Sequence, residues 1–322
     1  MRRGLAIGAA VAVVLGVLPW LLPGSFYVSI ATHVLVAAIL ALSLDILIGA
    51  CGMSSLGHAV YLGVPAYAYA WLVGNTGLGV ALSAVFAVGC GTILAAGFGV
   101  LALRATGLGF MMITLALGQV VWGLSYRWVW LTGGDNGLRA PRPVLPGPLP
   151  DWIDLTQPRP FYYLVTAVFL ITLACLWQLS QSPFAACLRG TRDQPRRMRM
   201  LGHPVWLMQW VAFIMAGFWG SVAGLLYIWD YGFISPQTMS LQQSAEVLLM
   251  VVLGGAGTLA GPVAGAAVIT VVKTVISSYV DRWSTLLGLT FIVTVMVMPR
   301  GLVPGCRRLF AARTPRPGPV KA

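Results

Sequence analysis

Charge is scarce in this sequence. Asp, Glu, Lys and Arg make up 9% of its 322 residues, against roughly 25% in an average soluble domain. A soluble protein of this length needs more charge to cover its surface. A soluble enzyme and a disordered regulator are therefore excluded. Lysine is nearly missing: only Lys273 and Lys321 occur. Neither follows a glycine loop, and GxxxxGK[ST] appears nowhere, so the chain cannot bind ATP in the P-loop manner. The histidines are His33, His58 and His203, with no HExxH and no paired carboxylates. That leaves no basis for a metal ligand set or an acid–base pair. Ser54, Ser55 and His58 lie close together, but no orienting acid or oxyanion motif accompanies them. Cys51, Cys90, Cys175, Cys187 and Cys306 are scattered without a CxxC pair. They read as small hydrophobes, not as a disulfide framework or a metal site.

Hydrophobic residues are abundant, at 58%. A helix needs about 20 apolar residues to cross the hydrocarbon. Ten segments qualify when short, glycine-rich ones are admitted: 5–22, 29–49, 55–74, 79–103, 108–130, 161–180, 206–229, 245–262, 263–280 and 284–299. The expected fold class is an all-α integral membrane protein of about ten transmembrane helices. Breaks near Cys51–Ser55 and Gly261–Pro262 read either as loops or as helices interrupted in mid-membrane, where irregular backbone must be buried in protein or face a cavity. The first segment follows Met1-Arg2-Arg3 and lacks a clear small-residue cleavage site, so it reads as a retained helix.

The net charge is +12. In so apolar a chain it reads as orientation charge, with no nucleic-acid partner. With the N-terminus inside, 14 of the 20 basic residues fall on the cytoplasmic side, Arg189, Arg192, Arg196, Arg197 and Arg199 among them. The positive-inside rule favours that topology, with both termini cytoplasmic. An outer loop, 131–160, opens Thr-Gly-Gly-Asp-Asn-Gly and turns proline-rich, which predicts an ordered cap or an extended crossing. The tail, 303–322, is basic and Pro-rich and reads as a solvated anchor to membrane lipid.

Asp45, Gln119, Glu246 and Lys273 fall within or near spans. A charge at mid-bilayer costs about 2.5–3.5 kcal/mol, so such groups face a cavity or a partner more often than lipid. Lys273 either pairs with an acid or snorkels. Trp71, Trp128, Trp130, Trp229 and Trp283 read as an interfacial aromatic belt. The segment Ile48–His58 echoes Leu253–Pro262: each is a glycine turn between apolar segments. In this topology the echo is a parallel internal repeat, of a kind common in transporters.

The inner loop, 181–205, begins with Ser182 as an N-cap and Pro183 at the first helical position. A short helix, a break near Asp193–Pro195 and a second turn ending at Gly202 are predicted. A basic loop held to anionic lipid competes with a helix that docks a motor subunit.

Here the chain resembles the LivM-type permease subunits of branched-chain amino acid ABC importers. Leu56-Gly57-His58-Ala59 with Gly63 and Ala66-Tyr67 resembles the family's S-L-G-H-A…G…A-Y stretch. Thr132–Leu138 resembles its T-G-G-x-x-G-L outer loop. Arg189, Arg192-Asp193 and Leu201-Gly202 resemble its inner loop, the ATPase-contacting site. Leu253–Pro262 resembles its L-G-G-x-G-[ST]-x-x-G-P, and Pro299-Arg300-Gly301-Leu302 its closing P-R-G-L. Two departures stand out. Gln194-Pro195 and an Arg-rich run replace the usual Asn-Glu and small residues. Cys51-Gly52-Met53-Ser54 stands where a Gly-Gln-Leu-Ser-like run is usual.

The resemblance implies a single permease domain over 1–302 and no enzyme activity. It implies ATP-binding cassette subunits, a second homologous permease and an extracytoplasmic solute-binding protein as partners. ATP and Mg then sit on the partner subunits, with no cofactor on this chain. It places ATPase coupling at Arg189, Arg192, Asp193 and Gly202. The glycine turns at Gly52, Gly57, His58, Gly254, Gly255, Gly257 and Gly261 are the candidate translocation path. The solute would be a branched-chain or other hydrophobic amino acid; urea, short amides and aromatic acids are same-family alternatives. A stand-alone ion-coupled carrier and a membrane enzyme are the competing classes. The carrier needs more buried ionisable groups than the sequence offers, and the enzyme needs a catalytic constellation.

Overall fold

A computed structural model describes residues 2–21, 24–143, 155–276 and 301–305, with isolated positions between 285 and 296. It is helical almost throughout. The helices are α1 (Arg2–Leu21), α2 (Ser25–Asp45), α3 (Val60–Asn75), α4 (Val80–Ala102), α5 (Leu108–Arg127), α6 (Val129–Thr132), α7 (Pro158–Gln181), α8 (Pro183–Asp193), α9 (Pro195–Met200), α10 (Val205–Tyr231), α11 (Leu241–Gly254) and α12 (Ala260–Val271). One antiparallel pair of two-residue strands, β1 (Leu138–Arg139) and β2 (Phe233–Ile234), ties the outer loop to the end of α10.

The expectation of ten full spans is corrected. Five helices among the described residues are long and apolar enough to cross a membrane: Ser25–Cys51, Val80–Ala102, Leu108–Arg127, Pro158–Gln181 and Val205–Tyr231. The shortfall has a local cause. The predicted span 55–74 starts only at Val60, because Gly52–Ala59 is irregular. The predicted span 245–262 is the 14-residue α11; the predicted span 263–280 begins as α12 and runs on as a π-helical turn, Val272–Ile276, and its last residues lie outside those described. At 1.5 Å per residue, 14 residues reach only about 21 Å of a hydrocarbon core roughly 30 Å thick. The span 284–299 is described at isolated positions only, and Trp283, Arg300 and the tail beyond 305 lie outside the described residues. So does the middle of the outer loop, 144–154.

The centre is α2, continued by a π-helical turn, Ile46–Cys51. Its sequence is apolar all round, which marks a helix surrounded by protein. It packs against α7, α10, α11 and α12. Beside it, α4 and α10 meet through small residues. Ala84, Ala87, Gly91, Ala95, Gly99 and Ala102 form the buried stripe of α4. Gly91 lies against Ser221, and Ala95 against Gly217. Small residues every fourth position let two backbones approach, and packing replaces the hydrophobic drive that lipid removes. The opposite face of α4 exposes Val85, Phe86 and Ile93, the residue types a lipid-facing surface takes.

The helical hairpin α11–α12 is closer still. Gly254 packs on the backbone of Gly261, and Gly265 on that of Met250. Pairing residues of decreasing and increasing number makes the two helices antiparallel. The Gly255–Leu259 segment is therefore the turn of a hairpin, while Gly52–Ala59 is an irregular passage with Ser55, Gly57, His58 and Ala59 buried.

Candidate functional site

The inner loop folds as its residues dictate. Ser182 Oγ accepts from the Ala185 N–H at 3.2 Å, which caps α8 with Pro183 in its first turn. Gln194, at φ −148°, breaks the helix, and Pro195 starts α9. Gly202 closes the segment at φ +82°, a conformation that favours glycine. One side chain of α8 reaches inward. Arg192 Nη1 donates to the Gly49 carbonyl at 2.7 Å. Its methylene stem covers Gly52, where an added Cβ would lie 2.7 Å from Arg192 Cγ.

Gly49 also touches the second glycine turn. A Cβ there would fall 2.6 Å from the Gly257 Cα. The contact is pinned by Asp45, whose Oδ1 accepts the Gly257 N–H at 2.8 Å. Three sequence-distant pieces therefore converge: the π-helical end of α2, the α11–α12 turn and the loop helix α8. Arg192 supplies the charge that faces the Gly49 carbonyl, and Asp45 caps an orphan N–H of the turn. Gly301 closes over the same turn, with Gly254 and Gly255 directly beneath it.

The other predicted residues divide. Arg189 donates to the Ser180 carbonyl at 3.3 Å and stays on the surface. Asp193 is exposed, and open space surrounds the Cα of Gly202. Arg192 is thus the inner-loop residue wired to the glycine turns, while the other three are not joined to it. Gly52, Gly254, Gly255, Gly257 and Gly261 gather around the convergence. Gly57 and His58 do not; they sit on another face, where Gly57 packs on the Thr114 carbonyl of α5.

His58 is fully buried. Its Nε2 lies 2.8 Å from Ser43 Oγ, not from Ser54 or Ser55. Ser43 Oγ also lies 2.6 Å from the Leu40 carbonyl. A hydroxyl has one proton. With that proton on Leu40, His58 donates from Nε2 and its Nδ1 keeps an unshared lone pair. The pair joins α2 to the start of α3, with Tyr61 edge-on to the ring at 5.2 Å. Replacing Ser43 with Ala should lower the detergent-phase thermal midpoint by the equivalent of about 1–3 kcal/mol, since it strands a buried imidazole.

Two polar clusters lie apart from the glycine turns, the first of them between residues the sequence singles out and the second around Asp230, which it does not. Lys273 Nζ donates to Glu246 Oε2 at 2.7 Å, which settles the choice between pairing and snorkelling. His33 Nε2 lies 3.1 Å from Asp230 Oδ2, and Arg142 Nη2 lies 3.3 Å from Asp230 Oδ1. Arg142 also donates to the Trp229 carbonyl at 3.2 Å and covers the Phe161 ring. Trp229 is half-buried and packs edge-on against Tyr69 at 5.8 Å. Trp128 and Trp130 are exposed. Among the described residues no group of three metal-ligating side chains occurs.

A helical, multi-span membrane protein with a loop helix wired to the glycine turns between its spans is a transport component in form. Residues 26–298 match the family described as branched-chain amino acid transport system / permease component, and the chain belongs to that family. This is a transport permease subunit, not an enzyme. It is 28% identical to the high-affinity branched-chain amino acid transport system permease protein LivM of Salmonella typhimurium and to that of Escherichia coli. Each alignment covers 87% of this chain and 70% of the relative. The autoinducer 2 import system permease protein LsrC of Yersinia pestis is 32% identical over 63% of this chain and 56% of its own length. No solved structure matches the chain.

Proposed function

We propose that the chain forms the translocation pathway of an ABC importer for branched-chain or other hydrophobic amino acids, in the inner membrane with both termini cytoplasmic. Residues 1–302 form one permease domain. Within it, 131–160 is the outer loop and 181–205 the cytoplasmic coupling loop, and a basic tail follows at 303–322. The partners are ATP-binding cassette subunits, a second homologous permease and an extracytoplasmic solute-binding protein. ATP and Mg bind on the cassette subunits.

The observation that carries this reading is the Arg192–Gly49 bond. Arg189, Arg192, Asp193 and Gly202 offer the ATPase a surface, and Arg192 is the member that passes a movement on. A displacement of α8 then pulls on the backbone where Gly49 and Gly257 touch. The permease has two helix arrangements, and ATP binding elsewhere biases them by differential affinity. Gly52, Gly254, Gly255, Gly257 and Gly261 lie where such a shift meets little side-chain resistance. Gly57 and His58 join the path from its α5 side. The echo between Ile48–His58 and Leu253–Pro262 is a parallel repeat in this topology, and the two segments touch at Gly49 and Gly257.

Affinity purification of the tagged chain from its native membrane in mild detergent tests the assignment. A cassette ATPase and a second permease should co-purify. A homo-oligomer recovered alone, from membranes with intact uptake, would favour the stand-alone carrier.

A further inference from the structure

The outer end carries a strap. Residues 137–142 run beside the chain leaving α10, where β1 pairs with β2 and the Ala140 N–H donates to the Gly232 carbonyl at 3.1 Å. Two-residue strands are marginal on their own. Glycines at positive φ flank them: Gly133, Gly134 and Gly137 before β1, and Gly232 before β2. The bends therefore lie at the ends of the strap, and Arg142 fastens it. The Arg142 guanidinium donates to the Trp229 and Asp230 carbonyls at 3.2 and 3.3 Å, and to Asp230 Oδ1 at 3.3 Å. Those carbonyls belong to the last turn of α10, where a helix leaves its own acceptors unpaired. Arg142 also donates to the Thr156 carbonyl at 3.2 Å and lies 4.9 Å from the centroid of the Phe161 ring on α7.

Asp230, the other half of this fastening, has a second basic neighbour. Its side chain is buried, and its Oδ2 lies 3.1 Å from His33 Nε2 on α2 without completing a hydrogen bond. His33 stacks on Tyr231 at 4.6 Å. Both rings line a cavity of about 350 Å³ between α2, α10, α11 and α12. We infer that the strap is the outer gate of the permease and Arg142 its latch, released from Asp230 as solute enters and replaced there by His33. The inference rests on the importer reading above. A buried carboxylate that loses its only partner is costly. Asp230 escapes that cost, because an imidazole with its proton on Nε2 can donate to the oxygen beside it. The released arrangement is then held as the closed one is, and a partner that binds one of them better shifts the balance. A permanent staple has no use for a second donor that makes no bond while the staple is shut.

The test uses the complete transporter in proteoliposomes, with the five native cysteines replaced. Arg139→Cys and Phe233→Cys stand opposite each other across β1 and β2, at a spacing that a disulfide spans. Oxidising that pair should abolish L-leucine uptake and reductant should restore it, while either cysteine alone should respond to neither. Ala37→Cys, on the cavity wall, reports opening to a membrane-impermeant thiol reagent added outside. Adding Arg142→Gln should speed that labelling at least about tenfold, the shift expected from one lost charge-assisted hydrogen bond. His33→Phe keeps an aromatic ring against Tyr231 and removes the second donor. It should lower uptake without lowering the thermal midpoint. Undiminished uptake with the pair fully oxidised, or equal labelling with and without Arg142, would overturn the gate and leave the importer standing. The disulfide arm is reversible and does not depend on how Arg142→Gln folds. Absence of L-leucine uptake by the unmodified complex would instead count against the importer reading itself.

Discussion

Arg192→Ala should abolish ATP-driven uptake while leaving membrane insertion and partner binding intact. The side chain makes one charge-assisted hydrogen bond from α8 to the Gly49 carbonyl, at 2.7 Å. Loss of such a bond is worth about 1.5–3 kcal/mol, or roughly 10- to 150-fold in the equilibrium it biases. Arg192→Lys should recover part of the activity, because an ammonium still meets one carbonyl but loses the planar fork. The double variant Arg192→Ala/Asp193→Ala should behave like Arg192→Ala alone, since Asp193 is exposed and apart from the glycine turns. Uptake in proteoliposomes, set beside ATPase rate, separates the cases. Normal uptake by Arg192→Ala would remove the coupling role.

Gly49→Ala should be nearly as damaging, for a steric reason. The new methyl would lie 2.6 Å from the Gly257 Cα and 2.8 Å from Asp45 Oδ1. One neighbour is backbone and the other is the carboxylate that pins the turn, so neither yields cheaply. Overpacking of this kind costs about 1–3 kcal/mol. Gly257→Ala adds backbone strain, since Gly257 sits at φ +79°, where a Cβ is disfavoured. Gly89→Ala and Gly97→Ala are the controls. Open space surrounds both, and surface-type changes there stay within about 0.5 kcal/mol. Thermal midpoints read by size-exclusion chromatography should fall for Gly49→Ala and Gly257→Ala and hold for the controls.

What the sequence made legible was mostly local. Ser182, Pro183, Gln194-Pro195 and Gly202 act within a few residues of themselves, and α8, the break and α9 follow from them. The all-α membrane class was equally visible, because 58% hydrophobic residues leave few alternatives. The helix count was not. A hydropathy window adds up apolar residues and ignores where glycines interrupt the hydrogen-bond ladder, so it makes full spans of 55–74 and 245–262. The pairings were out of reach for another reason. Glu246 and Lys273 are 27 residues apart, and Arg142 and Asp230 are 88 apart. Their meeting depends on how each helix is rotated against its neighbours, which packing decides. His58 shows the same limit: its partner is Ser43 on another helix, not the serines beside it in the chain.

The Asp45–Gly257 hydrogen bond also sets a clock on biogenesis. Its two ends are 212 residues apart. At about 5–20 residues per second, synthesis leaves Asp45 waiting on the order of 10–40 s for its donor. The helices that bury α2 (α7, α10, α11 and α12) all follow it in the chain. Until α7 and α10 are made its apolar surface has only lipid, translocon or chaperone for company, and its carboxylate waits longer, for the α11–α12 turn. The α11–α12 hairpin, late among the described helices, is therefore the piece that completes the first part of the core. Chains truncated ahead of that hairpin should be targets for membrane proteolysis even though the five long spans found among the described residues are already in place.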